Sequence, residues 1–139
     1  AKRIISGIKD ASHAAELEIS TSYEYTDIAE AIKADLQEVG FKVSIKSLGY
    51  GDLGDYDVLL AYWNIPYDPD QYYFWHSTQK QGNVTNYQNV KIDKLLEDGR
   101  NRADISERKE IYAQFQRVLQ DDVPAVFLYY PYTYTITRK

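Results

Sequence analysis

Cysteine and methionine are both absent from this chain of 139 residues, and its first residue is an alanine. Without cysteine, the chain has no disulfide, no catalytic thiol and no metal site built from thiolates. No apolar run approaches the roughly 20 residues that a membrane-spanning helix needs, and no signal peptide is recognisable. Because an initiating methionine is lacking, we expect the chain to be processed or to come from a longer polypeptide.

Basic residues are fewer than acidic residues in this chain. The chain has 16 lysine and arginine residues against 21 aspartate and glutamate residues, which gives a net charge of -5. That balance argues against nucleic acid and anionic membranes as partners.

Histidine is also scarce, with His13 and His76 as its two copies. His13 lies in a polar stretch, and the serine after His76 lacks the motif of a catalytic nucleophile. We therefore expect no catalytic residue, no metal site and no cofactor, and we predict that the protein is not an enzyme.

Aromatic residues are abundant, with 14 tyrosines, 4 phenylalanines and 2 tryptophans. They are densest in residues 55–77, DYDVLLAYWNIPYDPDQYYFWHS. Residues 58–61 form an apolar run without polar alternation, which predicts a central strand covered on both faces. The loop at residues 62–70, stiffened by Pro66 and Pro69, places rings beside carboxylates. This pattern is typical of a surface for a small organic ligand; the alternative is that the rings close the core under a long loop.

A strand–helix–strand unit precedes this loop. Residues 1–8 predict a short helix, and Leu17 and Ile19 alternate with polar residues as a half-buried strand. A helix is predicted over residues 25–39, and residues 41–46 alternate as the next strand. Tight connections make this a βαβ unit with parallel strands. The helix prediction rests on the apolar stripe Ile28, Ile32, Leu36 and Val39, the N-cap Thr26 and the terminating Gly40.

Helices dominate the second half of the sequence. Residues 70–76 predict one helical turn, and residues 91–102 predict a helix with Asn89 as its cap. Asp104 and Glu107 have the spacing of a capping box, which predicts the start of another helix.

Two strand-like segments close the sequence. Pro124 ends the preceding helix, residues 125–130 form a second apolar run, and residues 132–137 alternate as a final or edge strand. Helices and strands alternate along the chain, so the predicted fold class is α/β. We expect a single lobe over residues 1–139, with a mostly parallel or mixed central sheet flanked by helices.

Ligands of α/β sheets bind beyond the carboxyl ends of the strands. Three segments follow a predicted strand here: residues 20–23, residues 48–50 and residues 62–70. The topology therefore predicts that the turn carrying Ser22 and Tyr23 lies beside the aromatic loop.

Four sequence blocks together resemble a known family. They are residues 28–43, 56–77, 86–96 and 107–129, and their order and spacing are similar to the second, C-terminal lobe of the oligopeptide/dipeptide-type solute-binding proteins of ABC importers (bacterial extracellular solute-binding protein family 5). The resemblance spans residues 17–132 and implies a fold like that of the type II periplasmic binding proteins. The chain departs from the family at two positions, with Tyr62 in place of the usual glycine and Val90 in place of the usual proline.

The resemblance implies a set of ligand-binding residues. Trp63 matches the family tryptophan that lines the cleft and stacks on the ligand. Asp68 and Asp70 match an acidic loop that pairs with the ammonium group of a peptide; the alternative is that they only form turns before and after a proline. The expected ligand-binding set is Trp63, Asp68, Asp70, Tyr62, Tyr67, Ser22 and Tyr23.

The resemblance also implies a function. Such a protein captures oligopeptides or related small solutes between two lobes, and only one lobe is present here. The implied partners are a peptide or other small solute, the missing N-terminal lobe and the membrane permease of an ABC importer, in an extracytoplasmic location. A bare aromatic patch also predicts self-association. The alternative function is a free-standing aromatic-rich module that binds carbohydrate or peptide.

Overall fold

The computed structural model describes residues 16–49, 51, 55–132 and 134–138. The helix predicted at residues 1–8 and the polar stretch with His13 lie outside these ranges. The chain divides into two compact units, the first ending at Asn64 and the second beginning at Ile65.

A three-stranded parallel sheet forms the centre of the first unit. Its strands are β1 (Glu16–Thr21), β2 (Lys42–Ser47) and β3 (Val58–Leu60). β1 lies in the middle and pairs in parallel with both neighbours, so that Ile19 lies opposite Ile45 on one side and Val58 on the other. The parallel βαβ unit predicted from the sequence is confirmed.

The prediction that residues 58–61 form the central strand is wrong for the sheet that the described residues build. β3 lies at its edge, and Val58 is 37% exposed. The central strand is β1, whose last three residues, Ile19, Ser20 and Thr21, are all buried. The hydroxyl of Thr21 donates a hydrogen bond to the carbonyl of Leu60 at 2.8 Å. The buried hydroxyl of Thr21 is therefore satisfied inside the sheet.

Helix α1 (Thr26–Glu38) covers one face of this sheet. Ala29 is fully buried with Ile19 and Val43, and Ile32 and Leu36 pack against that cluster. A small residue at the contact lets the helix approach the sheet closely, which explains why Ala29, and not the larger residues of the predicted stripe, is the most buried position of the helix.

The two ends of α1 differ in how well the sequence predicts them. Thr26 is the first helical residue and not the N-cap, and its hydroxyl donates to the carbonyl of Tyr23 at 2.8 Å, across a short 3-10 helix (Tyr23–Tyr25). Gly40 ends the helix as predicted, with φ +100°. The Gly40 and Phe41 amides donate back to the carbonyls of Gln37 and Leu36, which is the Schellman pattern.

Three helices build the second unit: α2 (Tyr72–Trp75), α3 (Val90–Asn101) and α4 (Ile105–Asp122). All three were predicted. The side chain of Asn89 accepts hydrogen bonds from the Lys91 and Ile92 amides, and the Asp104 carboxylate accepts from the Glu107 amide. Among the residues that the structure describes, no helix has both the length and the apolar character needed to cross a membrane.

The core of the second unit lies among these helices. Its buried members are Trp75, Ile92, Leu95, Leu96, Tyr112, Phe115 and Leu119. Helices α3 and α4 approach each other closely at Gly99, where an added Cβ atom would lie 2.9 Å from the Tyr112 ring. Glycine at this position therefore sets the separation of the two helices.

The two strands predicted at residues 125–130 and 132–137 are absent from the described part of this segment. α4 ends at Asp122, its C-cap residue Val123 has φ +50°, and Pro124 follows. Most of the apolar side chains beyond it are exposed. A strand requires a neighbouring strand to accept its backbone hydrogen bonds, and the described residues of this unit provide none. The strand prediction is therefore wrong for the described residues, because alternation indicates strand propensity but contains no information about a pairing partner.

Replacement of Ile19 by alanine tests the position of β1. Ile19 is fully buried between α1 and β2, so Ile19→Ala should lower the free energy of unfolding by about 2–5 kcal/mol. Val58→Ala on the edge strand should cost about 1 kcal/mol or less, because Val58 is already 37% exposed. Urea denaturation followed by circular dichroism measures both, and a larger loss for Val58→Ala would contradict the strand order.

Replacement of Gly99 by alanine tests the approach of α3 to α4. Alanine is favoured over glycine in a helix by about 1 kcal/mol, but the new methyl group would overlap the Tyr112 ring. We expect a net loss of about 1–2 kcal/mol in the free energy of unfolding, because overpacking outweighs propensity. The exposed substitution Asn101→Ala is the control and should change stability by about 0.5 kcal/mol or less. A Gly99→Ala protein as stable as the parent would disprove the close contact.

Candidate functional site

The carboxyl ends of the three strands lie along one edge of the sheet. Thr21 is paired with Ser47 and with Leu60, so the chain leaves all three strands at the same level. The Leu48 amide donates to the Thr21 carbonyl at 2.8 Å and extends the β1–β2 pairing by one step. In the first unit, the three strands therefore end at the same edge of the sheet, as predicted.

Four of the predicted ligand-binding residues follow these strand ends, and we call Ser22, Tyr23, Tyr62 and Trp63 the strand-end surface. Tyr23 is 85% and Tyr62 58% exposed, whereas Trp63 is half-buried. The carbonyl of Ser22 accepts a hydrogen bond from the Tyr25 amide, which starts the 3-10 helix and turns the chain. This surface therefore offers aromatic faces and hydroxyl groups, which suit stacking and hydrogen bonding to an organic ligand.

The remaining predicted residues belong to the second unit, in a segment that we call the acidic loop (residues 67–70). Tyr67 is fully exposed. The Asp68 carboxylate accepts from the Asp70 amide at 2.8 Å, and the Asp70 carboxylate accepts from the Tyr72 amide at 3.0 Å. These are the short-range contacts of aspartates that form turns.

Both aspartates are also paired with arginines. Arg108 donates two hydrogen bonds to the Asp68 carboxylate, at 2.6 and 3.1 Å, and Arg100 donates one to Asp70 at 2.6 Å. The hydrogen bond from Arg108 holds the pKa of Asp68 below its usual range, because it stabilises the charged form.

Sequence reasoning missed these two arginines. Arg108 is 40 residues from Asp68, and Arg100 is 30 residues from Asp70. No spacing rule connects positions so far apart. The one local signal is that Arg100 lies in the last turn of α3, where a cation is favoured by the helix dipole.

His76 and Ser77 lie close together, but their contacts do not form a catalytic pair. The ring of His76 stacks on Tyr72 at 4.0 Å, and its Nδ1 atom is 2.9 Å from the Thr78 hydroxyl. The Ser77 hydroxyl donates to the Asp93 carboxylate at 2.6 Å. These contacts fix the turn between α2 and the following loop.

No protein-family model matches the chain. Among curated proteins, the oligopeptide-binding protein AppA of Bacillus subtilis is 31% identical over 115 residues, which cover 76% of this chain and 21% of AppA. The probable D,D-dipeptide-binding periplasmic protein DdpA of Escherichia coli is 31% identical over 114 residues, which cover 73% of this chain and 22% of DdpA. The chain thus spans about a fifth of the length of the relatives it matches.

Solved structures give the same result for the fold. AppA from Bacillus subtilis in complex with a nonapeptide matches with a TM-score of 0.81 at 23% identity, covering 94% of this chain and 31% of that protein. DppA from Helicobacter pylori in complex with the peptide STSA matches with a TM-score of 0.78 at 22% identity, covering 88% of this chain and 27% of that protein. These matches confirm the predicted α/β fold class. Together with the curated relatives, they show that the chain is a homologue of one segment of the oligopeptide- and dipeptide-binding solute-binding proteins of ABC importers.

Proposed function

We propose that the chain is the ligand-binding C-terminal lobe of a solute-binding protein that delivers oligopeptides, or related small solutes, to an ABC importer. The observation that carries this proposal is the relationship to AppA and DdpA over about three quarters of the chain, 76% and 73% respectively. The parallel sheet supports it, because ligands of such sheets bind at the carboxyl ends of the strands. We propose that residues 1–139 together form this one lobe.

The strand-end surface supplies the groups for solute binding in this proposal. The rings of Trp63, Tyr62 and Tyr23 stack on side chains of the solute or cover them, and the Ser22 hydroxyl bonds to its backbone. Tyr62 and Tyr23 are both more than half exposed, so no rearrangement is needed before contact. In the second unit, Tyr67 offers one more exposed ring.

The proposed partners and location follow from the relatives. AppA and DdpA are named as binding proteins, and DdpA as a periplasmic one. We propose that this chain works outside the cytoplasm with an N-terminal lobe and a permease as its partners, and that it catalyses no reaction. A clamp closes on its ligand from two sides, so one lobe alone makes only part of the contacts.

Binding of a peptide by the isolated chain tests this proposal. One lobe cannot exclude water from the ligand, so the dissociation constant for a tetrapeptide such as Ser-Thr-Ser-Ala should be on the order of millimolar. Trp63→Ala should weaken that binding at least roughly threefold, since about 1 kcal/mol of stacking is lost. Titration by NMR measures both.

Tyr134→Ala, which removes an exposed ring far along the chain, is the matched control and should leave the affinity unchanged. Micromolar binding by the chain alone would contradict the proposal that it is one lobe of a two-lobed binding protein, and would favour the free-standing module. Equal affinities of the Trp63→Ala and parent proteins would remove Trp63 from the site.

We also propose that the isolated chain self-associates, because the segment after α4 exposes a run of large apolar residues. Tyr130 is 78% and Tyr132 87% exposed. Sedimentation velocity should show a weight-average mass that rises with concentration, and Tyr130→Glu/Tyr132→Glu should reduce the rise through charge repulsion. A parent protein that stays monomeric at all concentrations would disprove this.

A further inference from the structure

We propose that Arg100 and Arg108 neutralise the acidic loop from within the protein, so that Asp68 and Asp70 brace the loop against helices α3 and α4 and recognise no ligand ammonium group. The inference deepens the proposed function and rests on it where it concerns the solute. In this inference the two arginines are positioning residues that hold the loop. The loop then does not select peptides by their free amino terminus.

All three guanidinium nitrogens of Arg108 donate hydrogen bonds. Two of its nitrogens bond to the two oxygens of Asp68, and its Nε donates to the Gly99 carbonyl at 3.0 Å. Its side chain is only 25% exposed. Arg108 therefore joins the first turns of α4, the close contact of α3 with α4, and the acidic loop. A lysine could not do this, because only the planar fork of arginine bonds to both carboxylate oxygens at once.

The Asp68 carboxylate is correspondingly occupied. One oxygen accepts from Arg108 and from the Asp70 amide, at 2.6 and 2.8 Å, and the other accepts from Arg108 at 3.1 Å. A ligand ammonium group would have to compete for these oxygens with a guanidinium that is held in place by a third bond.

Asp70 is occupied in the same way. One oxygen accepts from Arg100 at 2.6 Å and the other from the Tyr72 amide at 3.0 Å. The Arg100 guanidinium also lies 4.2 Å above the Tyr72 ring, a cation–π contact that holds it over the loop. Each aspartate thus bonds both to an arginine and to a backbone amide.

The local charge follows from these pairs. Two carboxylates and two guanidinium groups sum to zero, so the loop has no net attraction for a cation. Exposed ion pairs stabilise a fold little, but these pairs still decide charge selectivity, because they cancel the field that an ammonium group would meet. What the loop leaves free is the fully exposed ring of Tyr67.

A pair of peptides that differ only in amino-terminal charge tests the inference. We would measure Ser-Thr-Ser-Ala and its N-acetylated form on the full chain by NMR and take the ratio of their dissociation constants. The parent should show a ratio within about twofold of one. Asp68→Asn or Asp70→Asn, which leave a guanidinium group uncompensated, should shift the ratio against the free amine. Arg100→Gln/Arg108→Gln should favour the free amine by about three- to fivefold, because two carboxylates lose their cations and an exposed ion pair contributes up to about 1 kcal/mol. Arg117→Gln, an exposed change on α4, is the control.

The conservative variant separates positioning from charge. Arg108→Lys keeps the positive charge but loses the two-pronged contact, so it should show a ratio between those of the parent and the double glutamine variant. General damage to the fold would weaken both peptides alike and leave the ratio unmoved. A parent that prefers the free amine tenfold, and loses the preference in Asp68→Asn or Asp70→Asn, would overturn the inference.

A titration without any ligand distinguishes failure of the inference from failure of the proposed function. By carboxyl-detected NMR, the Asp68 carboxylate in the parent should titrate below its ordinary pKa of 3.8. The ion pair with Arg108 then persists at pH values above this lowered pKa and is lost as the pH falls through it. Arg108→Gln should raise the midpoint toward the ordinary value, whereas Arg117→Gln should not.

An unchanged midpoint in Arg108→Gln would overturn the inference even if peptides bind. A midpoint that rises, with no binding of either peptide, would uphold the internal pairing of Asp68 and count against the proposed function alone.

Discussion

Parallel pairing of β1 with both of its neighbours is the constraint on which the first unit depends. It brings the ends of three strands that are separated in sequence to one level, at Thr21, Ser47 and Leu60. The residues that follow are then presented at a single edge of the sheet. A polar hydroxyl maintains this edge, since Thr21 bonds to the Leu60 carbonyl. The position of the candidate surface is therefore a property of the backbone, and its chemistry can change without changing the sheet.

Elements defined by local contacts were predictable from the sequence. Asn89 and Asp104 cap helices whose amides lie two or three residues away, and Gly40 ends α1 through bonds to the preceding turn. Features that depend on distant partners were not. Whether β3 is a central or an edge strand depends on how many strands pair with it. The segment after Pro124 lacks a strand partner among the described residues. Hydrophobic alternation reports which faces are apolar, and it contains no information on what lies opposite.

The same limit explains why the candidate site was predicted only in part. Its positions follow from topology, which is why Ser22, Tyr23 and Tyr62 could be proposed from the sequence. The electrostatics of the site do not follow from topology. The net charge around a carboxylate depends on partners that can come from anywhere in the chain. Asp68 meets Arg108 across 40 residues. An acidic segment of a sequence therefore indicates a net negative charge only when the cationic side chains that pair with it in the structure are known.

Tyr62 distinguishes the strand-end surface from the pattern of the family that the sequence resembles. The family that the sequence resembles has glycine at this position, and glycine permits a ligand backbone to approach the end of the strand closely. Here a ring that is 58% exposed occupies that space. It replaces a site for backbone approach with an apolar face next to Trp63 in the sequence. Under the proposed function, the Tyr62 ring would add contact area for bulky or flat groups of a solute at this point.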